Sequence, residues 1–166
     1  IIENLQVSIA SESNTDGRRS ALRDLLTTAY ATKAFNHYLR FIKDRGKYSD
    51  HIRQQDLREI ITLGDQMVNL DPKSWRGYQY RAMGNWETSL LTDGLVFRDA
   101  ALKKEVVRDF ERSITENGTY NVNGINLMEL HFLDRDYPKA LAHAHRLKEV
   151  IYEGELYRYR SINARK

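Results

Sequence analysis

The sequence contains no cysteine. A chain without cysteine forms no disulfide bonds, holds no thiolate zinc site and offers no cysteine nucleophile. The absence of cysteine does not distinguish a cytoplasmic from a periplasmic location, because proteins of either compartment can lack cysteine.

Proline and glycine are scarce, with two and nine residues among 166, which favours helices over a turn-rich β fold. Long apolar runs are also missing, since no run approaches the roughly 20 residues of a membrane span. No signal peptide is visible, and the first residue is Ile1 rather than methionine. We therefore expect a fragment or a processed form, and an anchor or a further domain before Ile1 is compatible with it.

Charge of one sign is not in large excess. The net charge is +3 and the isoelectric point is about 9.1, a balance too mildly basic to indicate a nucleic-acid partner by itself. Hydrophobic residues make up 41% and charged residues 30% of the chain, as in a folded protein with a well-solvated surface.

Apolar residues recur at helical spacing along most of the chain. Residues 1–10 place Ile2, Leu5 and Ile9 on one side, but that run is short, and the loop-like segment SESNTDG follows. From Ser20 to Lys43 the three- and four-residue steps continue without glycine or proline. They predict a long amphipathic helix.

Further helices are predicted over about 50–69, from Ser74 onwards, and over 99–116, 121–134 and 137–153. Pro72 ends the first of these, because proline cannot continue a helix, and Ser74 is a favourable N-cap for the next. The sequence thus predicts six or seven helices, and we see no strand with convincing alternation.

Three segments share one spacing of packing residues, and each would be the second helix of a two-helix unit. They are 60–72, 106–118 and 140–152. The last two segments are offset by 34 residues, and the first two by 46. A regular period of 34 with an insertion near 87–104 accounts for both offsets.

At these positions the chain resembles the tetratricopeptide repeat (TPR) family of helix-turn-helix units. Asp136-Tyr137-Pro138-Lys139-Ala140 is similar to the family's turn between paired helices, and Leu70-Asp71-Pro72 is similar to its repeat-ending motif. The resemblance covers roughly residues 41–154. Arg81 departs from it where an apolar residue is usual, and Gly124 departs where an early aromatic is usual.

The resemblance implies an all-α fold of antiparallel helix-turn-helix repeats, a TPR-like α-solenoid, in one domain over 1–166. Residues 1–19 would form an N-terminal segment and loop, 20–40 a long helix, 41–154 the repeats and 155–166 a C-terminal cap or tail. A generic α-helical bundle is the alternative.

Three of the five histidines, His131, His143 and His145, lie close together in sequence. Residues two apart on a helix point about 200° away from each other, so His143 and His145 do not share a metal. Neither a helical zinc motif nor a catalytic signature is present. We expect structural or surface roles for these histidines, no metal, no cofactor and no catalytic residue.

A repeat array exposes a concave face lined by the first helix of each pair. In the register above, that face predicts a protein or peptide site at Arg76, Gln79, Met83, Trp86, Val122, Ile125, Glu129 and Phe132. Tryptophan, phenylalanine, methionine and arginine are enriched where partners dock. In the alternative interpretation, Trp86 and Phe132 close the core beneath the insertion.

The C-terminal tail interleaves aromatic and basic residues, among them Tyr157, Arg158, Tyr159 and Arg160. Such residues can stack on bases and pair with phosphates, which makes a nucleic acid or an anionic polymer such as a polysaccharide the alternative partner. The same pattern is also typical of a helix that caps the last repeat.

Overall fold

In a computed structural model of the chain, the described residues are 2–11, 16–43, 49–93, 97, 99–117 and 121–150. Within these ranges the protein is entirely helical and contains no strand, which confirms the all-α prediction. The seven helices of the described ranges are α1 (Ile2–Ser11), α2 (Asp16–Lys43), α3 (Asp50–Leu70), α4 (Trp75–Asp93), α5 (Ala100–Asn117), α6 (Asn121–Leu133) and α7 (Tyr137–Val150).

Local sequence signals explain several of these boundaries. Asp71 and Pro72 follow α3 directly, and the Asp71 amide closes the last turn on the Met67 carbonyl. Ser74 precedes α4, where its hydroxyl accepts a 3.3 Å hydrogen bond from the Gly77 amide, the arrangement of an N-cap. The long helix begins a few residues before the predicted Ser20, and the short N-terminal run is helical as its spacing indicates.

The chain divides into two compact units, Ile1–Glu116 and Asn117–Lys166. In the first unit, α1 packs on α2, α2 on α3, and α3 on α4. Helix α5 is joined to α4 by a hydrogen bond from the Ser113 hydroxyl to the Trp75 carbonyl, 2.9 Å long. In the second unit, α6 packs on α7. The single domain over 1–166 stays a prediction.

The apolar stripes of α2 and α3 form the centre of the first unit. One buried cluster joins residues of both helices, and Ile2, Leu5 and Ile9 of α1 pack against it. The buried members are Leu26, Tyr30, Ala31, Ala34, Leu63 and Met67. Removing this apolar surface from water is the main stabilising contribution in the unit.

Three glycines let α3 and α4 approach almost backbone to backbone. A methyl group at Gly64 would lie 2.7 Å from the Arg81 amide nitrogen, and one at Gly77 would lie 2.9 Å from the Val68 amide nitrogen. A methyl group at Gly84 would lie 2.6 Å from the side chain of Ile61. The two helices are antiparallel, since contacts move forwards along α4 as they move backwards along α3. We call these three positions the glycine seam.

The second unit is a short helical hairpin whose turn has a defined geometry. Arg135 adopts a left-handed conformation with φ of 62°. The Asp136 amide donates to the His131 carbonyl and the Arg135 amide to the Phe132 carbonyl, at 2.9 and 3.0 Å. These paired bonds are those of a Schellman motif, which ends α6 and reverses the chain into α7.

Candidate functional site

Two residues expected on a concave face are instead buried. Met83 and Trp86 are almost completely excluded from solvent, and Trp86 stacks on Phe97 with ring centroids 5.1 Å apart. This burial agrees with the alternative in which Trp86 closes the core, and it leaves little of either side chain for a partner. Helix α4 packs against α3 on one side and bonds to α5 on another, so that side chains on several of its faces lie inside the unit.

The other expected residues of α4 are half-buried. The Arg76 guanidinium lies 4.7 Å from the centre of the Trp75 ring, within the range of a cation–π interaction. The Gln79 amide nitrogen lies 3.8 Å from the Met83 sulfur. Both side chains therefore pack along α4 and leave only part of their surface for a ligand.

In the second unit, α6 presents its expected residues to different degrees. Val122 and Ile125 are half-buried, and Glu129 is exposed. Phe132 is exposed, and its ring meets that of Tyr137 edge to face, with centroids 5.8 Å apart and planes at 63°. That α4 and α6 line one concave face stays a prediction.

Tyr137 and Leu141 extend the exposed apolar surface around Phe132. They are four residues apart on α7 and so lie on one side of it. The exposed fractions are 60% for Phe132, 56% for Tyr137 and 58% for Leu141. We call these three residues the aromatic corner. The resemblance placed Tyr137 in the turn between paired helices. Sequence reasoning missed Leu141, although a leucine next to the buried Ala140 lies outside the apolar stripe of α7.

A buried carboxylate joins α2 to α3. Asp56 is almost fully buried, accepts hydrogen bonds from both Arg40 nitrogens Nε and Nη2, and lies 2.8 Å from Nδ1 of His37. Burial alone raises the pKa of Asp56, but the hydrogen bonds and charges of Arg40 and His37 outweigh it and lower the pKa below its usual value.

An ionised aspartate on Nδ1 orients an imidazole as in a catalytic triad. His37 lies on α2 and Asp56 on α3, so the hydrogen bond that Nδ1–H donates to the Asp56 carboxylate holds the ring between these two helices. The cluster therefore acts as a cross-link between α2 and α3. One sequence signal could have found it, because Asp56 falls in step with Ile60, Leu63 and Met67 on the buried stripe of α3.

A second buried charge cluster explains the departure noted at Arg81. Its Nε and Nη2 donate to the two oxygens of Asp109 at 2.6 and 2.9 Å, and its Nη1 donates to Asp65 at 3.0 Å. These bonds, led by that to Asp109, raise the pKa of Arg81 above its usual range, so the guanidinium stays charged. Arg81 thus ties α4 to both α3 and α5.

The three histidines that lie close together in sequence have different environments in the structure. His131 of α6 is buried, and its ring stacks on that of His143 of α7 with centroids 5.4 Å apart and planes at 12°. His145 is exposed on α7. Within the described ranges, no three His, Asp or Glu side chains are grouped closely enough to hold a metal ion.

The stacked pair leads to a pH-dependent prediction. Burial, followed by the charges of His131 and Arg146, lowers the pKa of His143. The unfolded chain therefore binds a proton at His143 more readily than the folded chain does. Its full contribution to stability is present above the ordinary histidine pKa of about 6.5 and is lost as the pH falls through the lowered folded pKa.

We expect amide hydrogen exchange in α6 and α7 of the whole chain to accelerate as the pH falls from 7 to 5, after correction for intrinsic exchange. His143→Gln should flatten this dependence, because glutamine does not titrate. His145→Gln is the matched control, since that side chain is exposed on the same helix. Equal slopes for wild type and His143→Gln would contradict the assignment.

Tyr157, Arg158, Tyr159 and Arg160, which carry the alternative basic and aromatic surface, lie outside the described residues. None of the described helices has the combination of length and apolarity that crossing a membrane requires.

Comparison with known proteins found no family model, no curated protein and no solved structure that matches the chain. The resemblance to the TPR family therefore remains a proposal based on the residues quoted above.

Proposed function

We propose that the chain is a non-catalytic interaction module that binds a protein or peptide partner, as one part of a larger protein or assembly. TPR-like stacking of its helical hairpins is part of this proposal. The aromatic corner of the second unit carries it, because three large apolar side chains remain more than half exposed at one end of a helical hairpin.

The corner has the chemistry of a docking anchor. Each such side chain gains about 1.5–3 kcal/mol when it is fully transferred from water into an apolar contact. Aromatic residues also supply a large contact area with few rotatable bonds, which explains their enrichment at binding hot spots. Phe132 and Tyr137 are already held edge to face, so a partner would restrict them at a reduced entropic cost.

The turn beneath the corner keeps this surface in place. Phe132 lies in the last turn of α6 and Tyr137 begins α7, and the Schellman motif fixes the residues between them. Asp136 pairs with Lys139 at 2.8 Å on the first turn of α7. The partner we propose is therefore a peptide segment that inserts an aliphatic or aromatic side chain at the corner and places polar groups at this charged rim.

A displayed library of random peptides supplies defined ligands for the test. We expect peptides selected on the whole chain to carry a recurrent apolar anchor. Phe132→Ala should weaken their binding by about tenfold or more, since truncating a hot-spot residue costs roughly 2 kcal/mol. Isothermal titration calorimetry measures the affinities.

Phe35→Ala is the matched control, because Phe35 is also an exposed phenylalanine but lies on α2 of the other unit. If both variants weaken binding equally, or neither does, the aromatic corner is not the site. A steep loss of affinity with added salt would favour the anionic-polymer alternative, because release of counterions dominates that mode of binding. Apolar docking depends little on salt.

A further inference from the structure

A cleft of about 270 Å³ opens in the first unit where α3, α4 and α5 meet. Most of its lining residues are basic or aromatic. They are Val68, Tyr78, Arg81, Arg108, Asp109 and Arg112. Three guanidinium groups therefore face a small volume in which the lining supplies one carboxylate.

That carboxylate is already engaged. Asp109 is buried and receives the bidentate hydrogen bonds of Arg81 described above. Arg81 uses three of its N–H groups on Asp109 and Asp65, and an arginine side chain carries five. Two donors of Arg81 thus remain beside the cleft.

The other two arginines lie one helical turn apart on α5. Nε of Arg108 is 3.8 Å from Asp109, too far for a hydrogen bond, and its side chain is 66% exposed. Arg112 pairs with Glu116 at 2.5 Å and remains half-exposed. When Asp65 and Glu116 are counted with Asp109, three carboxylates balance the three arginines. The cleft is therefore distinguished by the unused N–H donors of its arginines and not by its net charge.

An aromatic ring completes the lining. The Tyr78 ring has the Arg81 guanidinium 5.5 Å and the Arg112 guanidinium 6.0 Å from its centre. The Tyr78 hydroxyl donates to the Pro72 carbonyl at 2.9 Å, which fixes the ring in position. The ring is therefore a fixed apolar surface next to a group of cations.

We propose that this cleft binds a small phosphate monoester. The forked donors of Arg108 and Arg112 match the oxygens of a phosphoryl group, which carries roughly two negative charges at neutral pH. The Tyr78 ring contacts the organic group beyond the ester bond. The volume suits a phosphoryl group with a small substituent, since clefts for drug-sized ligands begin at about 300 Å³. This inference is independent of the proposed partner site.

Phenyl phosphate and inorganic phosphate are the probes, titrated into the whole chain at constant ionic strength and followed by nuclear magnetic resonance. Phenyl phosphate should bind more tightly, with shifts at α4 and α5. Arg108→Gln should weaken its binding about tenfold, the effect of losing one charged hydrogen bond. Arg58→Gln removes the same charge from an exposed position on α3 outside the cleft and should change nothing.

A gain of affinity gives the second arm. Glu116→Gln releases Arg112 from its ion pair and should strengthen phenyl phosphate binding several-fold, whereas Glu3→Gln on exposed α1 should have no effect. Urea midpoints verify that each variant is folded. Equal effects of Arg108→Gln and Arg58→Gln, or no gain with Glu116→Gln, would overturn the proposal. Equal affinities for the two probes would overturn the assignment to a monoester.

Discussion

Asp109→Ala is expected to lower the free energy of unfolding of the first unit by about 3 kcal/mol, since removing one partner of a buried ion pair leaves the other charge uncompensated. The remaining charge would be Arg81, which is mostly buried and donates two of its three hydrogen bonds to Asp109. Urea unfolding followed by tryptophan fluorescence reports on this unit, because Trp75 and Trp86, the two tryptophans of the chain, both lie in α4.

Glu105→Ala is the control for Asp109→Ala, since it removes an exposed carboxylate from the same helix. It should change the unfolding free energy by less than about 0.5 kcal/mol. The double change Arg81→Met with Asp109→Leu should recover most of the loss, because apolar residues of similar volume often replace a buried ion pair without cost. If Asp109→Ala costs no more than Glu105→Ala, Arg81 does not depend on this pair.

Gly64→Ala is expected to destabilise the same unit by about 1–3 kcal/mol, the usual effect of overpacking. Alanine is the better helix former by about 1 kcal/mol, so its intrinsic preference opposes this result. The packing cost prevails because the added methyl group would lie 2.7 Å from a backbone atom of α4. A backbone atom cannot move aside as a flexible side chain can, and the two helices must separate.

Gly17→Ala provides the opposite result under the same unfolding assay. Gly17 lies in the first turn of α2 and has nothing within 4 Å of the added methyl group. This substitution should leave the stability unchanged or raise it by up to about 1 kcal/mol. If Gly64→Ala proves as harmless as Gly17→Ala, the close contact of α3 with α4 does not limit their packing.

Local chemistry made the helices predictable. The C-terminal end of α3 follows from Pro72 and the start of α4 from Ser74, and the effects of both residues reach only a few positions along the chain. Hydrophobic spacing likewise predicted α5, α6 and α7 to within a few residues over the described ranges. Their signals lie within the helices themselves, so no knowledge of distant contacts was needed.

Distant contacts account for what sequence reasoning missed. The pattern marked Arg81 as unusual, but Asp109, its main partner, lies 28 residues away and could not be chosen among the other carboxylates. The burial of Trp86 likewise depends on Phe97, which belongs to the segment assigned to an insertion. A periodic pattern predicts the face of the helix on which a side chain lies. Whether that side chain is buried depends on which other part of the chain packs against that face.

The glycine seam also has a mechanical consequence. At Gly64 and Gly77 the two helices are so close that an added methyl group would lie within 3 Å of a main-chain nitrogen of the other helix, and at Gly84 it would meet the Ile61 side chain. Such close packing leaves little room for the small sliding motions between packed helices that are a common route to conformational adjustment. We therefore expect α3 and α4 to move as one body. Helix α1 packs on the buried cluster through the side chains of Ile2, Leu5 and Ile9, so we expect its position to change more readily.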